Sequence, residues 1–171
     1  MLKQSIILCG FMSSGKTTVG RALAKRLDVS YVDTDELIVK RSQMAISEMF
    51  EIYGEEYFRD LEYRTALEVG SMPPCVISTG GGMLTFDRNG KALKESGIII
   101  CLIRDFENIY GEISNDRSRP LAYKKSKDEL KRVLDLRMDK YQKYADYIVE
   151  DNKEPEDCVD KIISIIDENQ K

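Results

Sequence analysis

The chain has 171 residues, of which 42% are apolar and 33% charged, and a net charge of −4. This composition is typical of one globular domain over residues 1–171, for which we expect a monomer, and it excludes a disordered or fibrous chain. The acidic balance argues against nucleic acid as a partner, and no apolar run approaches the roughly 20 residues of a membrane span. The four cysteines have no CxxC or metal-ligand spacing, so we expect reduced thiols in a cytoplasmic protein.

Short apolar runs alternate along the chain with helix-length amphipathic stretches. The runs predict strands at residues 4–9, 31–33, 75–78, 97–102 and 147–149. Helical spacing predicts helices at residues 16–27, 55–69, 87–95, 127–144 and 156–168. This alternation is typical of an α/β fold with a mainly parallel sheet. Two segments interrupt it: a substrate-binding insert at about residues 34–61, and a mobile lid at about residues 112–126.

A phosphate-binding loop follows the first predicted strand. Gly10-Phe11-Met12-Ser13-Ser14-Gly15-Lys16-Thr17 matches G-x-x-x-x-G-K-[ST], with a strand before it and a helix after it, as the motif requires. Its backbone N–H groups and helix N-terminus would surround phosphates, Lys16 would reach the β/γ oxygens, and the Thr17 hydroxyl would ligate Mg²⁺. The motif therefore predicts nucleotide binding, in which we include Gly10, Met12, Ser13, Ser14, Gly15 and Thr18.

Two carboxylates end the second predicted strand, at Asp33 and Asp35. In an extended segment their side chains would point the same way, so one could serve Mg²⁺ and the other accept a hydroxyl proton. The chain has no histidine, so a carboxylate is a natural candidate for the base. The alternative is that both are only turn and helix-cap residues.

Two further patterns point to an acceptor site. Arg59 and Glu62 lie three apart on a predicted helix, and an arginine fixed by a carboxylate would make a fork for an anionic substrate group. The alternative is an exposed ion pair. The three glycines at residues 80–82 follow the third strand and would let a ligand approach the backbone closely, unless they form a plain flexible turn.

Taken in chain order, these features resemble the shikimate kinase family. The resemblance rests on the phosphate loop, Asp33-Thr34-Asp35, Phe50…Gly54-Glu55…Phe58-Arg59, the three glycines and Arg119-Pro120-Leu121, and it covers roughly residues 6–155. It implies a three-layer sandwich with helices on both faces of a five-stranded parallel sheet of order 2-3-1-4-5. It also implies transfer of the γ-phosphoryl group of ATP to the 3-hydroxyl of shikimate, a step in aromatic amino-acid biosynthesis.

The resemblance also implies roles for individual residues. Asp35 would bind the reacting hydroxyl and act as base, with Lys16 and Arg119 at the transferring phosphoryl group. Asp33 would hold Mg²⁺ through water beside Thr17, with Ser78 in the same shell, and Pro155 would contact the nucleotide. Shikimate would be bound by Asp35, Arg59, Arg137, Gly80, Gly81 and Gly82, with both arginines on its carboxylate and Glu62 orienting Arg59.

One departure from the family concerns the nucleotide. The family usually has arginine seven residues before Arg119, where this chain has Glu112. We expect this negative charge to weaken ATP binding unless Arg117 neutralises it, so that Glu112→Arg would lower the KM for ATP. The alternative is that Glu112 points to solvent.

Other functions remain open from the sequence. A related kinase could act on gluconate or a nucleoside monophosphate, and a catalytically inactive binding module would share the same loop. A nucleotide switch would need Asn-Lys-x-Asp, but residues 152–155 read Asn-Lys-Glu-Pro.

Overall fold

The computed structural model describes residues 2–114, 125–150 and 154–169. Its strands are β1 (Ser5–Cys9), β2 (Tyr31–Asp33), β3 (Val76–Ser78), β4 (Gly97–Ile103) and β5 (Tyr147–Glu150). Its α-helices are α1 (Lys16–Leu27), α2 (Thr34–Ser42), α3 (Ile46–Gly70), α4 (Asp87–Lys94), α5 (Phe106–Ile113), α6 (Lys127–Tyr144) and α7 (Pro155–Asn169). A 3₁₀ turn spans Met83–Thr85.

The five strands form one parallel sheet in the order β2-β3-β1-β4-β5, which confirms the expected topology. β1 lies at the centre, with Ile7 opposite both Ile77 of β3 and Ile99 of β4. β2 and β3 lie on one side of β1, and β4 and β5 lie on the other. The connection from β3 to β4 therefore passes over β1, and the strand order reverses there. Parallel sheets bind ligands at such a point, outside the carboxyl ends of the strands.

Alternate residues of β1 fill cores on opposite faces of the sheet. Ile7 and Cys9 pack into the core that includes residues of α3, α4, α5 and α6. Ile6 and Leu8 pack into the core that includes residues of α1 and α7. All four side chains are fully buried, and burying an isoleucine or leucine side chain contributes about 1.5–3 kcal/mol. Because both faces of the sheet are covered at β1, this strand is a continuous apolar run, and the sequence pattern therefore predicted it.

The insert is more helical than the sequence predicted. We expected a helix from residue 55, whereas α2 occupies Thr34–Ser42 and α3 begins at Ile46. At Gly54 the backbone leaves helical geometry with φ 80°, which kinks α3 where it enters the predicted segment. A separate small core of Ile38, Met49 and Phe58 holds α2 against both parts of α3. This packing stabilises helices whose local pattern is weak.

Several expectations fall partly or wholly outside the described residues. Arg117, Arg119 and most of the predicted lid lie there, and so do residues 151–153. All four cysteines are described, and each is buried and free, in agreement with the expected reduced thiols. Within the described ranges, we find no helix with the length and apolarity needed to cross a membrane.

Candidate active site

A cleft of about 540 Å³ lies at the carboxyl ends of the central strands. It is lined by residues 12–18, Asp33, Asp35 and residues 79–81. Arg104, Glu112 and Pro155 complete its lining. The phosphate loop follows β1, and Asp33 and Asp35 lie at the end of β2 and the start of α2. These two parts of the predicted site therefore share one cavity.

The phosphate loop has the backbone geometry that its sequence predicts. Gly15 precedes α1 with φ 89°, and Ser13 also has a positive φ of 57°. Lys16 Nζ donates to the carbonyls of Gly10 and Phe11, at 2.9 and 2.7 Å, and therefore lies over the loop. A positive charge and the N-terminus of α1 meet here, which makes this end of the cleft suited to polyphosphate.

Asp33 caps α2 and also lies beside Thr17 in the cleft, so its position as a helix cap does not exclude it from the site. Its Oδ1 accepts hydrogen bonds from the backbone N–H groups of Asp35 and Glu36, so it caps α2. Its Oδ2 lies 3.4 Å from the Thr17 hydroxyl, which donates to it, and also accepts from Tyr31. The assumed extended segment is wrong, because Asp35 already belongs to α2. Both carboxylates nevertheless line the cleft.

Asp35 carries the most perturbed carboxylate of the cleft. Its Oδ1 is buried and has no hydrogen-bond partner within the described residues. Burial, helped by the charge of Asp33, raises the pKa of Asp35 to about 6, although Lys16 and Arg59 pull it down. A carboxylate with a raised pKa and an unused acceptor atom in a cleft is suited to taking a proton near neutral pH.

The three glycines each adjoin one predicted substrate residue. A Cβ on Gly80 would lie 2.3 Å from Asp35 Oδ1, and one on Gly82 would lie 2.7 Å from an Arg59 nitrogen. Gly81 lies beside Arg137. Gly80 and Gly82 therefore allow a close approach that a side chain would block, whereas a Cβ on Gly81 would make only ordinary contacts, at 3.6 Å or more. The Gly80 N–H donates to Thr34 Oγ1. Of the three glycine amides, this one is therefore already used and is not available to a ligand.

Arg59 is a fixed, mostly buried cation. Its side chain is 13% exposed and binds Glu62, only 1% exposed, at 2.7 Å. Glu55 accepts from its other nitrogens at 2.9 and 3.1 Å, and the rings of Phe50, Phe58 and Phe86 surround it. The exposed-ion-pair alternative is therefore wrong. Burial raises the pKa of Glu62 to about 6, against the lowering effect of Arg59.

Arg137 reaches the same region from α6. Its NH1 lies 3.4 Å from the Gly81 carbonyl, and its guanidinium lies 5.6 Å from the centre of the Phe11 ring. Tyr141, one turn further along α6 and 1% exposed, donates to the same carbonyl. Two donors from one helix thus hold the middle of the glycine segment.

Glu112 is paired with Arg104, a partner that neither expectation for it included. Its Oε1 accepts from Arg104 NH1 at 2.6 Å, so it neither stands unpaired beside the nucleotide site nor simply points to solvent. The same Arg104 nitrogen donates to the Ser13 carbonyl in the phosphate loop at 3.2 Å. Arg104 neutralises Glu112, a role that we had considered only for Arg117.

Most of the predicted residues come together, and a few do not. Pro155 lines the cleft, whereas Ser78 is buried and donates to the Lys16 carbonyl under α1. Sequence reasoning gave no role to Tyr31, Thr34, Arg104 or Tyr141. Only Tyr141 had a signal, since it lies four residues from Arg137 and therefore on the same helix face.

The chain is similar to known proteins in both sequence and structure. The sequence model of the shikimate kinase family matches residues 12–167. A shikimate kinase of Caldicellulosiruptor bescii is 39% identical over 165 residues, which cover 95% of each chain. The shikimate kinase of Acinetobacter baumannii in complex with shikimate superposes with a TM-score of 0.91 at 34% identity, covering 97% of this chain and 94% of that one. A gluconokinase from Sinorhizobium meliloti has a TM-score of 0.63 at 14% identity, covering 98% of this chain and 93% of that one, which shows a shared fold alone.

Proposed function

The chain belongs to the shikimate kinase family, and we propose that it transfers the γ-phosphoryl group of ATP to the 3-hydroxyl of shikimate by the residue roles given below. It is an ATP-dependent shikimate kinase of aromatic biosynthesis. The observation that carries the proposed roles is the position of Asp35. Its unpartnered carboxylate oxygen shares a cleft with the phosphate loop and adjoins the glycine segment that contacts Arg59 and Arg137.

The acceptor is held, in this proposal, by charge and shape together. Arg59 and Arg137 bind the carboxylate of shikimate, and Glu62 keeps the Arg59 guanidinium in place through its buried contact. The Gly80 amide is used by Thr34, so of the three glycine amides only those of Gly81 and Gly82 are proposed to bind the hydroxyls. Fixing the acceptor in this way can supply a large part of the rate enhancement, since phosphoryl transfer depends mainly on positioning and charge.

Asp35 accepts the proton of the 3-hydroxyl as that oxygen attacks the γ-phosphorus. The bond from the γ-phosphorus to the leaving oxygen breaks, and ADP carries away the charge. Lys16 and the loop amides stabilise the negative charge on the β/γ oxygens. Arg119 is proposed for the same task, although it lies outside the described residues.

The cleft also offers ligands that fit Mg²⁺. The Thr17 hydroxyl and Asp33 Oδ2 are hard oxygen donors only 3.4 Å apart at the phosphate loop. Among the described residues no group of three or more His, Cys, Asp or Glu side chains could hold a metal. Mg²⁺ needs no such group, because it takes one or two carboxylates together with waters and substrate phosphates. When bound, Mg²⁺ would neutralise phosphate charge, with Thr17 as a direct ligand and Asp33 through water; Ser78 has less support because it is buried.

A test of the function compares acceptors. Release of ADP is measured by a coupled assay with shikimate, gluconate and nucleoside monophosphates at equal concentrations. We expect turnover with shikimate to exceed that with either rival by orders of magnitude. Comparable turnover with gluconate or a nucleoside monophosphate would contradict the proposed substrate.

The acidic limb of the pH profile should reflect Asp35. Its pKa of about 6 lies above the ordinary 3.8, so the carboxylate is protonated and cannot act as base as the pH falls through 6. We expect kcat/KM for shikimate to fall about tenfold per pH unit below this value. Glu62 also has a raised pKa of about 6, so Glu62→Gln is the control. The acidic limb should persist in that variant, and its disappearance would assign the limb to Glu62.

The Mg²⁺ role of Asp33 can be separated from its role as a helix cap. Asparagine caps helices about as well as aspartate, so Asp33→Asn keeps the cap of α2 while removing the charge. We expect the Mg²⁺ concentration for half-maximal rate to rise about 10–100-fold, the usual cost of losing an outer-sphere partner. The measurement is initial rate against Mg²⁺ at fixed ATP, and an unchanged midpoint would rule out the role.

A further inference from the structure

Arg104 links the phosphate loop to α5. It follows β4 directly, and its NH1 donates both to the Ser13 carbonyl at 3.2 Å and to Glu112 Oε1 at 2.6 Å. Its side chain is 26% exposed and that of Glu112 51%, and both line the cleft that holds the phosphate loop and Pro155. The proposed phosphoryl-transfer mechanism assigns no task to this pair.

The Arg104 side chain is held in place but remains partly exposed in the cleft. Hydrogen bonds of a guanidinium lie in its plane, so the bonds to Ser13 and Glu112 fix the orientation of that plane without covering its faces. An immobilised guanidinium face can stack on an aromatic ring, and stacking of this kind is a common way for arginine to contact nucleobases.

The charge of Glu112 indicates which part of a nucleotide this surface suits. The polyphosphate already meets Lys16, the loop amides and the N-terminus of α1. A half-exposed carboxylate beside Arg104 offsets its positive charge and would repel further phosphate. A neutral, flat ring does not suffer that repulsion.

We propose that Arg104, held by Glu112 and the Ser13 carbonyl, is the residue that binds the base of ATP by stacking. Glu112 is then a positioning residue for Arg104. This chain has Glu112 where the family usually has arginine, and Arg104, which directly follows β4, places a cation in the same cleft. This inference rests on the proposed use of ATP. It reverses our expectation for Glu112→Arg, which would release Arg104 and weaken ATP binding.

The test separates the base from the phosphates. Dissociation constants of the full chain are measured by calorimetry, with Mg²⁺, for ATP and for inorganic tripolyphosphate. Base stacking usually contributes enough that Arg104→Ala should raise the Kd for ATP about tenfold while the Kd for tripolyphosphate changes less than about twofold. Arg104→Lys keeps the charge but lacks the plane, and should show the same split. Glu112→Gln should show a smaller rise for ATP alone.

The matched control is Arg26→Ala, which removes two exposed ion pairs, with Glu156 and with Asp160, at the α1–α7 contact and should change neither constant. Equal weakening of ATP and tripolyphosphate in Arg104→Ala would show that Arg104 only shapes the phosphate loop. Unchanged ATP binding, or full recovery in Arg104→Lys, would equally overturn the proposal. None of these outcomes affects the proposed function, which is tested separately by turnover of shikimate in the wild-type protein.

Discussion

The Asp35→Asn variant should lose about 10²–10⁴-fold in kcat, the usual cost of removing a general base. Asparagine has nearly the same shape but cannot take the proton of the acceptor hydroxyl. The phosphate loop is untouched, so the Kd for ATP should stay within about twofold of the wild-type value. The measurements are steady-state turnover with shikimate and calorimetric binding of ATP. A variant that keeps more than half of the wild-type turnover would end the assignment of Asp35 as the base.

Stability measurements separate this loss from misfolding. The pKa of Asp35 is raised from 3.8 to about 6, so the folded state binds its proton more tightly than the unfolded state. Its contribution to stability is therefore fully present below about pH 3.8 and is lost as the pH rises through about 6. Above that range the buried charge destabilises the fold, and Asp35→Asn removes it. We expect the Tm at pH 8 to equal or exceed that of the wild type, with the difference shrinking as the pH falls below 6.

The Arg59→Ala variant should show the second large effect, a raised KM for shikimate. Truncating one partner of a buried charge pair typically costs about 2–5 kcal/mol, which corresponds to about 30-fold or more in affinity. An arginine that binds the substrate carboxylate does so in the ground state and the transition state alike, so kcat should change less than KM. The same variant should discriminate less against an acceptor analogue that lacks the carboxylate.

Two further variants guard this interpretation. Arg59→Ala also leaves Glu62 buried without its cation, so Arg137→Ala, which disturbs no buried ion pair among the described residues, should reproduce the rise in KM. Arg88→Ala removes an exposed ion pair between α4 and Asp60, the neighbour of Arg59 on α3, and should leave the KM for shikimate unchanged. If both Arg59→Ala and Arg137→Ala keep the wild-type KM, the proposed carboxylate clamp is wrong.

The sheet and the phosphate loop were predictable because their signals are local. The three central strands β3, β1 and β4 read as short apolar runs, since they are buried on both faces, whereas the edge strands β2 and β5 are only partly buried. The loop is eight consecutive residues whose glycines and lysine act on the same phosphates, so its pattern survives in the sequence. The order of the strands came from the family resemblance, because an apolar run in the sequence does not indicate which strands lie beside it in the sheet.

The insert and the pairing of charges were less predictable. α2 and the first part of α3 are held by the small core around Ile38 and Met49, which forms only when both segments meet. The sequence pattern suggested an extended Asp33–Asp35 segment, but the backbone turns at Asp33 because its own side chain caps α2. Local spacing does not distinguish these two conformations.

The sequence by itself determined the class of fold, the phosphate loop and the set of charged residues near the acceptor. Only the tertiary structure decided how those charges are paired: Arg59 buried with Glu62, Arg104 with Glu112, and Asp35 without a partner for Oδ1. The physical reason is that a pKa or an ion pair depends on distance and burial. Both are set by segments far apart in the chain, such as the Gly80 backbone that adjoins Asp35 and the Ser13 carbonyl that orients Arg104.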